Sequence, residues 1–200
     1  MRLKLCSVAL FAAIASVLPT QNDKAPVAQE HQGSLITIHV HKTGFLSGFG
    51  HNHTVTAPVT RGKIDPKGLV VQMAVLTQEM KVVDPEVSAS DRAEIQSTML
   101  GPKVLDSAKF PEIRFTSIQI VPISAARYRV TGKLDLHGVS REVTLEVTGG
   151  TERYRGQTKL KQTDFGIQPV AVAGGTIKVK DEIEIEFDVS AADLSAPRVY

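Results

Sequence analysis

Residues 109–148, KFPEIRFTSIQIVPISAARYRVTGKLDLHGVSREVTLEVTG, decide the fold. Ile113 and Phe115, then Val130, Leu134 and Leu136, then Val143, Leu145 and Val147 recur at spacings of two or multiples of two, with polar residues mostly between them. Side chains alternate between the two faces of a strand, so this pattern predicts three consecutive strands, each with one apolar face. The breaks are short. Pro122 to Ala126 separates the first pair, and His137-Gly138-Val139-Ser140 reads as a tight turn closing the second. Three neighbours joined this way form an antiparallel meander, whose apolar face and open edges must curl or be covered.

Working outward, Ile36, Ile38 and Val40 alternate with Thr37, His39 and His41, which predicts a first strand over 34–42. The glycine-rich TGFLSGFG turns the chain into a second strand at 51–60, and Asp65-Pro66-Lys67-Gly68 turns it again into a third at 69–77. That third strand is apolar on both faces, which implies a cover. The next segment supplies a candidate: Asp91 as N-cap with Glu94 behind it, Ile95, Met99 and Leu100 at helical spacing, and Gly101-Pro102 as the stop. Beyond the meander, 154–163 reads as a seventh strand and 176–189 as an eighth. In the last, Ile183, Ile185, Phe187 and Val189 alternate with Glu182, Glu184, Glu186 and Asp188. Closure into a barrel removes the edges of eight such strands, and a two-sheet sandwich is the alternative.

The chain has 200 residues, 42% of them apolar and 22% charged, which suits one sizeable domain and argues against disorder. Of 23 Lys and Arg, Arg2 and Lys4 fall in the leader, leaving 21 against 21 Asp and Glu, so no charge excess points to nucleic acid. Met1 to Leu18 carries early positive charge, an apolar run too short to cross a bilayer, and small residues at Ala13-Ile14-Ala15. It reads as a signal peptide, not a permanent membrane anchor, and implies a periplasmic or secreted protein. Cys6 precedes most of that run, where a lipoprotein cysteine would follow it, so the exported chain has no thiol. Residues 19–33 read as a polar linker, 34–190 as the β domain and 191–200 as a C-terminal tail.

KFPEIRF, GKLDLHGVSREVTLEV, KQTDFGI and VKDEIEIEF, in that order, resemble the successive signatures of the YceI-like family of exported polyisoprenoid-binding proteins. DRAEIQSTMLGPKVLDSAKFP resembles the family's helical insertion. The resemblance runs from about Ser34 to Val189. It implies an all-β fold: a single eight-stranded antiparallel lipocalin-like β-barrel, one short helix inserted between strands 3 and 4, and an elongated apolar cavity that takes an isoprenoid tail. It implies no catalytic residues. GFGHNH resembles a subset of the family, so no headgroup contacts carry over.

Candidate cavity-wall residues are Phe115, Leu134, Leu136, Val143, Leu145, Ile183, Ile185 and Phe187. The sharpest polar signal is two His-x-His pairs, His39 with His41 and His51 with His53. In a hairpin centred on Leu46, His41 would face His51 and His39 would face His53, placing four imidazoles in one patch able to hold a metal or a headgroup. Arg92 is a further headgroup candidate. Ser140 lacks the second glycine of a nucleophile elbow, and Asp164 in TDFG lacks every companion loop of a kinase, so both read as turn residues.

The leading expectation is therefore an exported protein that stores or carries a polyisoprenoid or other long apolar small molecule, without catalysis and without a cofactor. The alternatives are a metal-binding protein or metal-dependent enzyme built on the four histidines, and a filled barrel acting as a structural module. A homodimer is compatible with these residues and not dictated by them.

Overall fold

The structure, a computed structural model, describes residues 33–44, 51–65, 70–150 and 152–195. The expected signal peptide with Cys6, the linker up to residue 32, the turns at 45–50 and 66–69, and residues 196–200 lie outside the described residues.

Thirteen strands form two sheets among the described residues. They are β1 (Leu35–Val40), β2 (Lys42–Thr43), β3 (His53–Pro58), β4 (Arg61–Asp65), β5 (Val70–Leu76), β6 (Lys81–Val82), β7 (Glu112–Ser124), β8 (Arg127–Leu136), β9 (Val139–Gly149), β10 (Arg153–Lys161), β11 (Ala171–Val172), β12 (Ile177–Val179) and β13 (Glu182–Ser190). Ten of them form a curled antiparallel sheet in the order β4-β5-β7-β8-β9-β10-β13-β1-β3-β6, and β11-β12-β2 form a small second one.

The curl is visible in the connectivity. β4 stands at one end of the sheet and β3 next to the other, yet only Val59 and Thr60 separate them in the chain. The Val59 amide donates to Ser34 O just before β1, at 3.0 Å, and the Thr60 amide donates to Ala74 O on β5, at 2.9 Å. One bent segment thus ties the two ends of the sheet together and satisfies the amides that an open edge would leave bare.

The same bend corrects the expected strand count, which is ten in the main sheet and not eight. The expected second strand, 51–60, is β3 and ends at Pro58, the bend leads into an additional strand, β4, and the two-residue β6 pairs with β3 through Val55 and Val82. The expected eighth strand also breaks, at Lys180-Asp181: β12 joins the small sheet and β13 the main one.

The meander forms as its alternation requires, with two adjustments. β7 runs on to Ser124 with Pro122 inside it, opposite Tyr128 and beside an irregularity in register, where a missing N–H is tolerated. The second turn is only His137-Gly138, at φ 52° and 75°, the left-handed pair that matches the twist of a hairpin. A side chain at Gly138 would strike the Phe110 ring, so glycine is required there twice over.

α1 (Ala89–Leu100) falls between β6 and β7, as expected, but it is capped by Ser88, whose Oγ accepts from the Asp91 amide at 3.1 Å. Asp91 is therefore in the first turn, where a carboxylate favours the helix dipole, and not the cap itself. Nor does α1 cover the outside of β5. Ile95, Met99 and Leu100 pack against the inward cluster built from Ile38, Val55, Met80 and Leu136, which sets the helix over one end of the curled sheet. A second cluster, Val59, Phe115, Val130, Leu145, Val147, Phe187 and Val189, fills the other end. After β13 the chain forms the short helix α2 (Ala191–Ser195) where a tail was expected, and Ser34 Oγ donates to Asp193 there at 3.2 Å.

Candidate functional site

Between the two clusters lies a cavity of about 200 Å³ with almost wholly apolar walls. All eight wall candidates, Phe115, Leu134, Leu136, Val143, Leu145, Ile183, Ile185 and Phe187, line it. Their neighbours come from strands that the wall reading did not use: Ile36, Ile38 and Val40 on β1, Val55 and Ala57 on β3, Met73 and Val75 on β5, and Leu160 on β10. All but Leu160, whose neighbours at spacing two are Thr158 and Gln162, belong to apolar rows of period two, so their signal was present in the sequence. Phe165 and Ile167 also line it, from a 3-10 turn (Gln162–Phe165) closed by Gly166 at φ 74°, a geometry without a hydrophobic period.

Two glycines give the rings their places. A side chain at Gly132 would meet the Phe115 ring, and one at Gly156, directly opposite Phe187 across β10 and β13, would meet the Phe187 ring. Both rings therefore lie over bare backbone and mark the inner limit of the cavity. Beyond them Val59 and Val189, at 2% and 0% exposure, belong to the packed end.

At the α1 end the cavity adjoins a second, more polar hollow of about 420 Å³, with Val40, Val55, Met99, Val104 and Gln162 forming walls of both. Lys42, His51, His53, Asp91, Glu94 and Lys178 line this vestibule. α1 is held beside it by Gln96: Oε1 accepts from the Val82 amide at 2.8 Å and Nε2 donates to Met80 O at 2.7 Å.

The four histidines do not form one patch. β1 and β3 pair so that Val40 faces His53 and His39 faces Thr54, one residue away from the expected register, and such a slip exchanges faces. His39 and His41 therefore sit on the outer wall, 3.8 Å from Glu186 and 3.6 Å from Glu184 on β13. Glu184 is held below the usual carboxylate range chiefly by the hydrogen bond and charge of Lys159, with a smaller contribution from His41. His53 takes the inner face in phase with Val55 and Ala57, and His51 lies beside it in the vestibule wall. Among the described residues no three His, Cys, Asp or Glu side chains converge as metal ligands.

His53 has a partner that the sequence did not suggest. Its Nδ1 lies 2.7 Å from Oδ2 of Asp84, which is only 5% exposed, and Oδ1 of the same carboxylate accepts from the Thr54 amide at 2.7 Å. Arg92, by contrast, lines neither hollow; its guanidinium donates to Val87 O at 2.8 Å and braces the entry to α1. Ser140 is the second residue of β9 and donates to Asp135 across the hairpin, and Asp164 sits in the 3-10 turn.

Residues 29–191 match the family model of the YceI-like domain. The chain belongs to the YceI-like family. A UPF0312 protein of Vibrio campbellii is 33% identical over 115 residues, covering 52% of this chain and 59% of that one; a UPF0312 protein of Pseudomonas putida strain W619 is 30% identical over 105 residues, 48% of this chain and 55% of that one. The matches thus span a little over half the length of these relatives. Among solved structures, Burkholderia cenocepacia BcnA superposes with a TM-score of 0.56 at 20% identity, over 78% of this chain and 94% of that one. A Campylobacter jejuni YCEI protein superposes with a TM-score of 0.50 at 17% identity, over 68% and 80%. At these identities the YceI-like neighbours speak for the fold.

Proposed function

We propose that this YceI-like protein is an exported, non-catalytic binder that holds a long apolar molecule, an isoprenoid chain being the first choice, inside its curled sheet. The observation that carries this reading is the apolar cavity, packed shut behind Phe115 and Phe187 and bordered at its other end by a polar vestibule. Ligand sites of this kind take affinity from apolar burial and orientation from a few polar groups. Burying about 400 Å² of tail at roughly 25 cal/mol per Å² amounts to about 10 kcal/mol, and an association cost of about 4 kcal/mol leaves about 6 kcal/mol, a Kd of tens of micromolar. Membership of a family commonly associated with polyisoprenoids, and the leader with its single early cysteine, support the choice of ligand and the periplasmic or secreted location.

Native mass spectrometry of the protein from its own source tests the reading, with a co-purifying lipid mass as the expected result. Displacement of a fluorescent fatty probe by a C20 isoprenoid supplies the second measurement. Ile185→Trp, which puts a large ring into the cavity, should keep the fold by circular dichroism and lose probe binding at least tenfold. A bare mass together with no probe uptake would end the carrier reading.

A further inference from the structure

We propose that the β7–β8 hairpin is a docking surface for an anionic phospholipid bilayer, which it enters with Ile118, Val121 and Ile123 and holds with Arg127 and Arg129. The proposal does not depend on what the cavity carries.

Three of the four large apolar side chains that stand exposed among the described residues fall in one half of β7: Ile118 at 64%, Val121 at 40% and Ile123 at 44%. Single exposed apolar residues are ordinary, whereas a concentration of them marks a contact surface. Their exposure is built into the strand. The ladder with β8 slips twice, between Ser117 and Gln119 and between Pro122 and Ser124, so Ile118 and Ile123 are the extra residues at two irregularities. Such a bulge re-aims the side chain it carries. Between them Val121 pairs with Arg129, while its neighbour Ile120 packs against the second core cluster, which puts Val121 on the outer face. The three lie within about 17 Å along the strand.

The same stretch is an open edge. β5 pairs with β7 only as far as Thr116, so among the described residues 118–124 has β8 on one side and no strand on the other. Edges left in water are usually guarded by charge, and Ile118-Gln119-Ile120-Val121-Pro122-Ile123-Ser124 carries none. Pro122 blunts the edge against an added strand, which points away from a partner that docks by pairing.

Charge decides the occupant. From Ile113 to Leu134 the chain has no Asp or Glu, against Arg114, Arg127, Arg129 and Lys133. Near the tip Arg127 and Arg129 share one carboxylate, Glu146 on β9, at 3.4 and 3.9 Å, which leaves positive charge beside the apolar residues. A second copy docked about a two-fold axis would bring that positive patch against itself. An anionic lipid surface answers both features, with the apolar side chains at the boundary of headgroups and chains and the guanidiniums among the phosphates. The open backbone holds the contact at that depth, because water reaches it there and not in the hydrocarbon. Ile120, Tyr128 and Val130 of this hairpin pack at the closed end of the sheet, so a docked protein keeps its vestibule turned away from the bilayer.

Cosedimentation with vesicles of phosphatidylcholine, with and without about one-third phosphatidylglycerol, tests the proposal. The wild-type protein should bind the anionic vesicles at least tenfold more strongly than the neutral ones. Ile118→Ser combined with Ile123→Ser should lower that binding at least tenfold, and Arg129→Gln about fivefold on the anionic vesicles alone, with the fold retained by circular dichroism and uptake of a fluorescent fatty probe unchanged. The chain has no tryptophan, so Ile118→Trp supplies a single reporter. Its emission should move to shorter wavelength on anionic vesicles and be quenched by brominated lipid. Ile185→Trp, which fills the cavity, should bind vesicles as the wild type does, so failure of the carrier reading would leave this one standing. No binding to anionic vesicles, binding that the serine substitutions leave unchanged, or loss of binding in Ile185→Trp would overturn it. So would a dimer in sedimentation velocity that the serine substitutions break and vesicles leave intact, which would give the patch to a second copy.

Discussion

Val59 and Thr60 are neighbours in the chain, yet their amides bond to opposite ends of the main sheet, to Ser34 O and to Ala74 O. Thr60 adds a second bond from Oγ1 to the same Ala74 O at 3.1 Å and is 2% exposed. Thr60→Val keeps the shape and the amide bond but loses the buried hydroxyl donor. It should lower unfolding free energy by about 1 kcal/mol, read as a urea midpoint shift without a change in slope. Thr60→Pro removes the amide itself and should cost more, with faster hydrogen exchange at the facing ends of β3 and β5.

Gly156 faces Phe187, and a methyl group there would strike that ring and the Glu146 carbonyl. Gly156→Ala should therefore destabilise by about 1–3 kcal/mol, the ordinary cost of overpacking. Because the ring can yield only by moving away from β10, the variant should also bind apolar probes more weakly. Thermal unfolding and probe titration on the same sample check both effects, and a destabilised variant with unchanged affinity would show that the ring moves elsewhere.

Gln96 makes the two side-chain bonds that moor α1 to residues 80 and 82, and no residue of α1 is fully buried. Gln96→Ala should loosen the helix more than the sheet. Hydrogen exchange over 89–100 should rise at least tenfold with little change in β7 to β10, and the release rate of a bound apolar probe should rise with it.

Burial alone would push the Asp188 carboxyl up, but hydrogen bonds and charge from Arg153 and Arg155 more than offset this and hold it below its ordinary value. Glu112 is lowered in the same way against its own desolvation, by Arg114 and Arg61. A carboxylate with a depressed folded pKa contributes stability above its unfolded pKa, near 4, and that contribution is lost as pH falls through the folded value. The urea midpoint should therefore hold from pH 7 to about 5 and fall below pH 4, with a shallower fall in Asp188→Asn. Equal slopes in the two proteins would show that the pair with Arg153 and Arg155 carries no linkage.

Strict alternation explains why the meander and its eight wall residues could be read directly. A row such as Val143, Leu145, Val147 leaves the strand no second face to bury. The same rule also held the answer for the histidines. His53 is in phase with Val55 and Ala57, whereas His39 and His41 are out of phase with Ile36, Ile38 and Val40, so the two pairs had to face opposite ways. A symmetric hairpin obscured this. The break at Val59-Thr60 could not be read, because Val59 continues the row of Val55 and Ala57 through the bend. Asp84 could not be read either: it lies 31 residues from His53, in a stretch with no period, and only the pairing of β6 with β3 brings it there.

The packed end behind Phe115 and Phe187 makes the hollow a blind alley. On the carrier reading proposed above, a guest would enter by the vestibule tail first and leave the same way, without being threaded from one face of the protein to another. Under that reading donor and recipient would take turns at one entrance, each meeting the outer end of the guest first.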